Sequence, residues 1–212
     1  MATANSAYPA SLDIDYPQER DRLTVFLRLV WSIPVLILIN VLSGGGGSST
    51  SEAGKHFSSS GGDITIGLFI ATALMILFRQ SYPRWWFDFS LELNRFATRV
   101  GSYLFLLTDR YPSATDSQSV HLDMTYPNVK KDLNRWLPLV KWLLVIPHYF
   151  VLFVLTLAAA LATVVAWFAI LFTGRYPKEL FDFVVGVGRW ATRVEAYAFM
   201  LVTDEYPPFS LK

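Results

Sequence analysis

The chain has no cysteine. Disulfides, thiolate metal sites and cysteine nucleophiles are excluded with it. Charge is scarce as well. Asp, Glu, Lys and Arg make up 17% of the 212 residues, where soluble domains sit near about 25%. The charges almost cancel, at a formal +1, so nothing in the balance points to nucleic acid or an acidic substrate. Histidine is sparse: His56, His121 and His148 are scattered along the chain. A haem or metal site inside a bundle needs a second strong ligand at matching depth, and none accompanies His148. It reads as a satisfied or lipid-interface histidine. Gly44–Gly47 form no phosphate loop, because no Gly-Lys-Ser/Thr follows them. No Ser/His/Asp set is indicated. No catalytic, cofactor-binding or metal-binding residue is therefore assigned. The first 21 residues lack the basic-then-apolar pattern and cleavage site of a signal peptide. The first apolar run is expected to be a retained membrane helix.

Apolar and aromatic residues are abundant. The hydrophobic share is 53%, the aromatic share is 16% with seven Trp, and the mean hydropathy is +0.36. That composition points to lipid. It is also laid down twice. Phe87–Val100 (FDFSLELNRFATRV) returns as Phe181–Val194 (FDFVVGVGRWATRV). LDIDYP from Leu12 returns as LDMTYP from Leu122, and LLTDRYP from Leu106 as LVTDEYP from Leu201. Ile33-Pro34 matches Ile146-Pro147, which aligns Arg28 with Lys141. Seven of the ten tyrosines precede a proline, and the pre-proline residue is pushed to extended backbone, so these pairs punctuate the units. Two tandem units follow, 1–112 and 113–212. The first carries a polar insert, Gly44–Gly62, rich in Gly and Ser.

Each unit holds two apolar runs and one amphipathic run. In unit one, spans are expected at about 23–42 and 64–79, and an interfacial helix at about 84–108. In unit two the apolar runs fuse into Leu137–Phe172. As one straight helix that run would measure about 54 Å against a hydrocarbon core of about 30 Å. A turn is therefore expected near Thr156-Leu157, giving spans at about 137–156 and 157–173 and an interfacial helix at about 178–203. The expected fold is an all-α integral membrane protein with four transmembrane helices. Of the 18 basic residues only Lys55 lies in the Gly44–Gly62 loop. By the positive-inside rule both termini and the central segment are cytoplasmic. Arg28 and Lys141 sit just inside span ends, where they can snorkel or act as gating charges. The segments SLDIDYP and SVHLDMTYP alternate apolar and polar residues and can pair as a small cytoplasmic β-ribbon.

The amphipathic runs carry the candidate site. At about 100° per residue, Asp88, Glu92, Arg95 and Arg99 fall on one stripe about 60° wide. Asp182, Arg189 and Arg193 repeat it, with Gly186 where unit one has Glu92. A twofold axis along the membrane normal would set two in-plane helices antiparallel. The acids of one unit would then face the bases of the other. Local pairing, such as Glu92 with Arg95, is the competing arrangement. The repeated carboxylates Asp88 and Asp182 can in principle serve proton transfer, but partnering arginines favour a structural or docking role. Gly186 and Gly188 read as close-packing positions. Thr108-Asp109 and Thr203-Asp204 read as helix-end turns.

The Tyr-Pro, Phe-Asp-Phe, Arg-x-Ala-Thr-Arg-Val and Thr-Asp-x-Tyr-Pro series resembles the bacterial membrane family catalogued as domain of unknown function 4389. The resemblance runs over nearly the whole chain, twice, apart from the Gly/Ser loop. It implies a multi-pass protein of the bacterial cytoplasmic membrane and carries no activity, cofactor or catalytic residue. The function expected is that of a non-enzymatic accessory or scaffold subunit. Its partners would be the lipid bilayer and other membrane-protein subunits or further copies of itself, with no nucleic acid. The alternative is a small transporter, or a lipid- or amphiphile-binding protein, using the seam between the units.

Overall fold

The computed structural model describes residues 8–17, 20–42, 64–113, 116 and 118–212. The Gly44–Gly62 insert and His56 lie outside them. Chain order is β1 (Ala10–Ile14), α1 (Arg22–Leu42), α2 (Ile64–Leu74) running into a π-helical turn (Met75–Arg79), and α3 (Arg84–Leu104). Then come β2 (Val120–Met124), α4 (Val129–Asp132), α5 (Pro138–Leu144), α6 (Ile146–Thr173) and α7 (Lys178–Ala198).

The alternating segments do pair. β1 and β2 form a two-stranded antiparallel sheet in which Leu12 lies opposite Leu122. Ala10, Leu12 and Ile14 are buried with Val120, Leu122 and Met124, while Ser11, Asp13, His121 and Asp123 face out. This is the one-face burial that period-two alternation produces. The buried face of β1 packs on α7 and that of β2 on α3. Helix α7 is covered again on its far side by α6. Lys141, ahead of α6, bonds Thr203, beyond the end of α7. His148, in the first turn of α6, bonds Trp190 of α7. The other ends join through Gly174–Pro177, so α6 runs antiparallel along α7.

The expectation of four spans is overturned. Among the described residues one helix, α6, is long and apolar enough to cross a membrane. The fused run breaks at Val145, ahead of Pro147, and not near Thr156-Leu157. The reason is local. Leu155–Ala162 (LTLAAALA) has no Gly, Pro, Asn or Asp, and alanine and leucine are strong helix formers. The chain continues helical until Gly174, which closes α6 in the left-handed conformation at φ 75°. At 28 residues α6 measures about 42 Å. It lies along α7, burying only a stripe: His148, Leu152, Ala159, Ala166 and Ile170. Helix α2 has 11 residues, about 16 Å, and α5 has seven, too short to cross. Helix α1 has 21 residues, with Arg22 and Arg28 in its first two turns and Pro34 within.

Candidate functional site

The charged stripes lie where α3 and α7 support the sheet. Arg95 donates from Nε to the Leu122 carbonyl at 2.8 Å, from Nη1 to Glu92 at 2.6 Å and from Nη2 to Asp123 at 2.6 Å. Arg189 donates from Nε to the Leu12 carbonyl at 3.0 Å and from Nη2 to Asp13 at 2.9 Å. Each arginine thus grips one strand by its backbone and an exposed aspartate, and the two gripped leucines face each other across the sheet. Local pairing is present in α3, through Glu92 and Arg95. The cross-sheet partners are Asp13 and Asp123, which sequence reasoning missed. The signal was available, since both aspartates sit at matched positions in the LDIDYP and LDMTYP segments. Asp88 and Asp182 are exposed and form no ion pair among the described residues.

The outer arginines bind carbonyls. Arg99 donates to the Ser113 carbonyl at 2.6 Å. Arg193 donates to the Lys212 carbonyl at 2.9 Å and to the Ser210 carbonyl, so it fastens the C-terminal tail. That tail explains Gly186. A Cβ there would stand 2.8 Å from the Leu211 carbonyl oxygen, so the tail occupies the space a side chain would need. The Tyr8 hydroxyl lies 3.2 Å from the backbone carbonyls of both Arg193 and Glu205 and donates to one or the other, which brings Tyr8 and the C-terminal segment together.

A second pair of charge sites closes α3 and α7. After α3, Leu106 takes φ 60°, and after α7, Leu201 takes φ 53°. Non-glycine residues rarely adopt this conformation. The turns deliver Thr108-Asp109 and Thr203-Asp204 to buried cations. Asp109 binds Arg28 at 2.5 Å and Arg20 at 2.9 Å. Arg28 also donates to the Tyr103 carbonyl and Arg20 to the Leu107 carbonyl. Asp204 binds Lys141 at 2.7 Å, and Lys141 donates to the Thr203 carbonyl at 2.6 Å. Arg28 lies over the Tyr103 ring and Lys141 over the Tyr197 ring, at 4.4 and 4.9 Å. Burial pulls the Lys141 ammonium below its ordinary pKa, against the opposing pull of Asp204. Arg28 and Lys141 are therefore neither snorkelling nor free. In both turns the threonine hydroxyl, not the aspartate, accepts the local backbone bond, from Arg110 N and Glu205 N. The Asp109 carboxylate is left for its two cations, and that of Asp204 for Lys141 and the Asn134 amide.

His148 is buried. Its Nδ1 accepts from Trp190 Nε1 at 3.1 Å, and its ring stacks on Phe209 at 3.9 Å. No group of three or more His, Asp or Glu that would hold a metal occurs among the described residues. These arrangements hold elements together: arginines on strand carbonyls, cations on helix-end carboxylates, and a tail locked over α7. No curated protein and no solved structure matches the chain. Residues 136–210, which run from the turn before α5 to the tail held by Arg193, match the model of the family described as Domain of unknown function (DUF4389), and the match supports that family for this part of the chain.

Proposed function

We propose that the chain is a duplicated, membrane-bound, non-enzymatic protein that serves as an accessory or scaffold subunit of an assembly in the bacterial cytoplasmic membrane. The observation that carries the membrane half is the exposed apolar surface. Phe150, Phe153, Leu161 and Phe172 on α6, Phe26 and Trp31 on α1, and Phe78 after α2 are each more than half exposed. An apolar surface of this extent is rarely left to water. The charged strands pack on α3 and α7, and in this reading they and both termini belong on the cytoplasmic side.

Duplication is the finer part of the proposal. It is supported by Leu12 facing Leu122, by the matched grips of Arg95 and Arg189, and by the matched left-handed turns at Leu106 and Leu201. Residues 8–112 would then be a second copy of the family unit. The scaffold role rests on the character of the charges, which fasten elements and leave Asp88 and Asp182 exposed for a partner.

The test is fractionation followed by purification in mild detergent. The protein should sediment with membranes, resist alkaline carbonate and come out only with detergent. It should then co-migrate in fixed ratio with another membrane protein or with further copies of itself. Release by carbonate would overturn the membrane reading. A lone monomer from native membranes would overturn the scaffold reading.

A further inference from the structure

Helices α3 and α7 face each other across a seam that holds two cavities, of about 210 and 110 Å³. A water needs only about 10–15 Å³ of such space, so both admit groups of several heavy atoms. Glu195 of α7 lines both. It is half-buried, and its carboxylate makes no hydrogen bond or ion pair among the described residues. It stands on the side of α7 opposite the charged stripe, about 220° around the helix from Asp182. Ninety-four positions earlier the sequence has Gly101, where an added Cβ would meet nothing within 4 Å. The seam is thus open opposite the one carboxylate.

A second unpartnered group points the same way. Tyr82 is 2% exposed, lines the smaller cavity, and its hydroxyl has no hydrogen-bond partner. The nearby Thr72 and Ser90 hydroxyls donate to the Leu68 and Trp86 carbonyls and can only accept from Tyr82, which leaves the Tyr82 oxygen free to accept in its turn. Around these polar groups the wall is apolar, with Leu68, Leu93, Ala97 and Phe199. Among the described residues no lysine, arginine, histidine or aspartate lines either cavity. The titratable groups facing Glu195 are Tyr82, from the segment before α3, and Tyr149 of α6.

We infer that this seam binds an amphiphile whose polar end is a lone ammonium, with the ammonium on Glu195 and Tyr82 Oη and the hydrocarbon along the apolar wall. The inference rests on the amphiphile-binding alternative and is independent of the scaffold role. An anion would meet a carboxylate. A zwitterionic phospholipid would bring a phosphate for which the cavity has no cation. A neutral amphiphile would displace water from Glu195 and leave it unpaired, which is costly. A primary ammonium has three donors and satisfies both oxygens at once.

Burial pushes the Glu195 carboxyl up to about 7 in the empty site. A bound cation favours the ionised form, so binding expels a proton and tightens as pH rises through that value. Between about pH 6 and pH 8 the affinity should increase roughly tenfold, as the ionised fraction does.

The experiment uses the full chain in a non-ionic maltoside. Decylamine is the probe, titrated calorimetrically beside decanol, decanoate and decyltrimethylammonium. Decylamine should bind saturably and best, with the pH dependence above. Decyltrimethylammonium should bind more weakly, and decanol and decanoate should not saturate. Glu195→Gln should remove the pH dependence and weaken decylamine about tenfold or more. Gly101→Leu should block binding by filling the open space, and serves if the first variant fails to fold. Equal binding of decanoate, a flat pH profile in the unmodified chain, or undiminished binding to both variants would overturn the inference. None of these results bears on co-migration with a partner, so the scaffold reading stands or falls separately.

Discussion

The two helix-end charge sites differ in one respect that matters. At the end of α7 one lysine meets one carboxylate, Lys141 on Asp204. At the end of α3 two guanidiniums, Arg20 and Arg28, share Asp109. Backbone carbonyls complete both sites, but only one is balanced in charge. An ammonium can shed its proton when its partner is lost, whereas a guanidinium cannot. The same scaffold position therefore tolerates damage in one half of the molecule and not in the other.

The sharpest way to break that comparison is to remove each carboxylate in turn. Asp109→Asn leaves two buried cations with no counter-charge, and should cost about 3–5 kcal/mol, the range for a buried pair that loses one partner. Asp204→Asn should cost less, and its cost should depend on pH. Burial already holds the Lys141 pKa below its ordinary value, and losing Asp204 lowers it further. Between the folded pKa and the unfolded value of about 10.4, the folded state has released a proton that the unfolded state keeps, so stability rises with pH. Thermal unfolding of the detergent-solubilised variants at about pH 7 and pH 9.5 should show Asp204→Asn recovering and Asp109→Asn unchanged. Recovery of both would mean that the α3 site relaxes through water.

The next contrast is between the outer arginines. Arg193 is 9% exposed and holds two carbonyls of the C-terminal tail, while Arg99 holds one carbonyl and is more exposed. Hydrogen bonds to charged groups contribute about 1.5–3 kcal/mol each when buried. Arg193→Ala should therefore cost about 3 kcal/mol or more and free the tail to limited proteolysis. Arg99→Ala should cost about 1 kcal/mol and leave the tail protected. Equal proteolysis of both variants would show that Phe209, stacked on His148, secures the tail alone.

Much of this was written locally in the sequence. The amphipathic runs 84–108 and 178–203 became α3 and α7, and the alternation around Leu12 and Leu122 became a paired sheet. The helix ends fell short because Leu106 and Leu201 take a conformation usually marked by glycine, and leucine gives no such mark. The partners of the charged stripe were hidden for another reason. A helical wheel sorts residues around one axis, and Asp13 and Asp123 reach Arg189 and Arg95 only through strand pairing. The fused apolar run misled through length alone. A bilayer-spanning limit demands a turn, but LTLAAALA has no turn chemistry, and the helix obeyed its residues. Glu195 is the lone acid on the apolar side of α7, and the sequence has Gly101 at the matching position, so no recurring motif marks it.

The smallest expected effects compare Glu92 with its counterpart Gly186. Glu92 is exposed and pairs with Arg95 at i,i+3. Exposed pairs contribute about 0.2–1 kcal/mol, and Arg95 keeps Asp123 and the Leu122 carbonyl in any case. Glu92→Ala should therefore change stability by no more than about 0.5 kcal/mol. Gly186→Ala adds only a methyl group, but that methyl would stand 2.8 Å from Leu211 O, so the tail must move. Because the tail lies at the chain's end it can shift, and a cost of about 1 kcal/mol is expected, with overpacking as its cause. Removing residues 209–212 should cancel the increment caused by Gly186→Ala, while the increment caused by Glu92→Ala should be the same with and without the truncation. If the Gly186→Ala increment survives truncation, the glycine is required by α7 itself and not by the tail that crosses it.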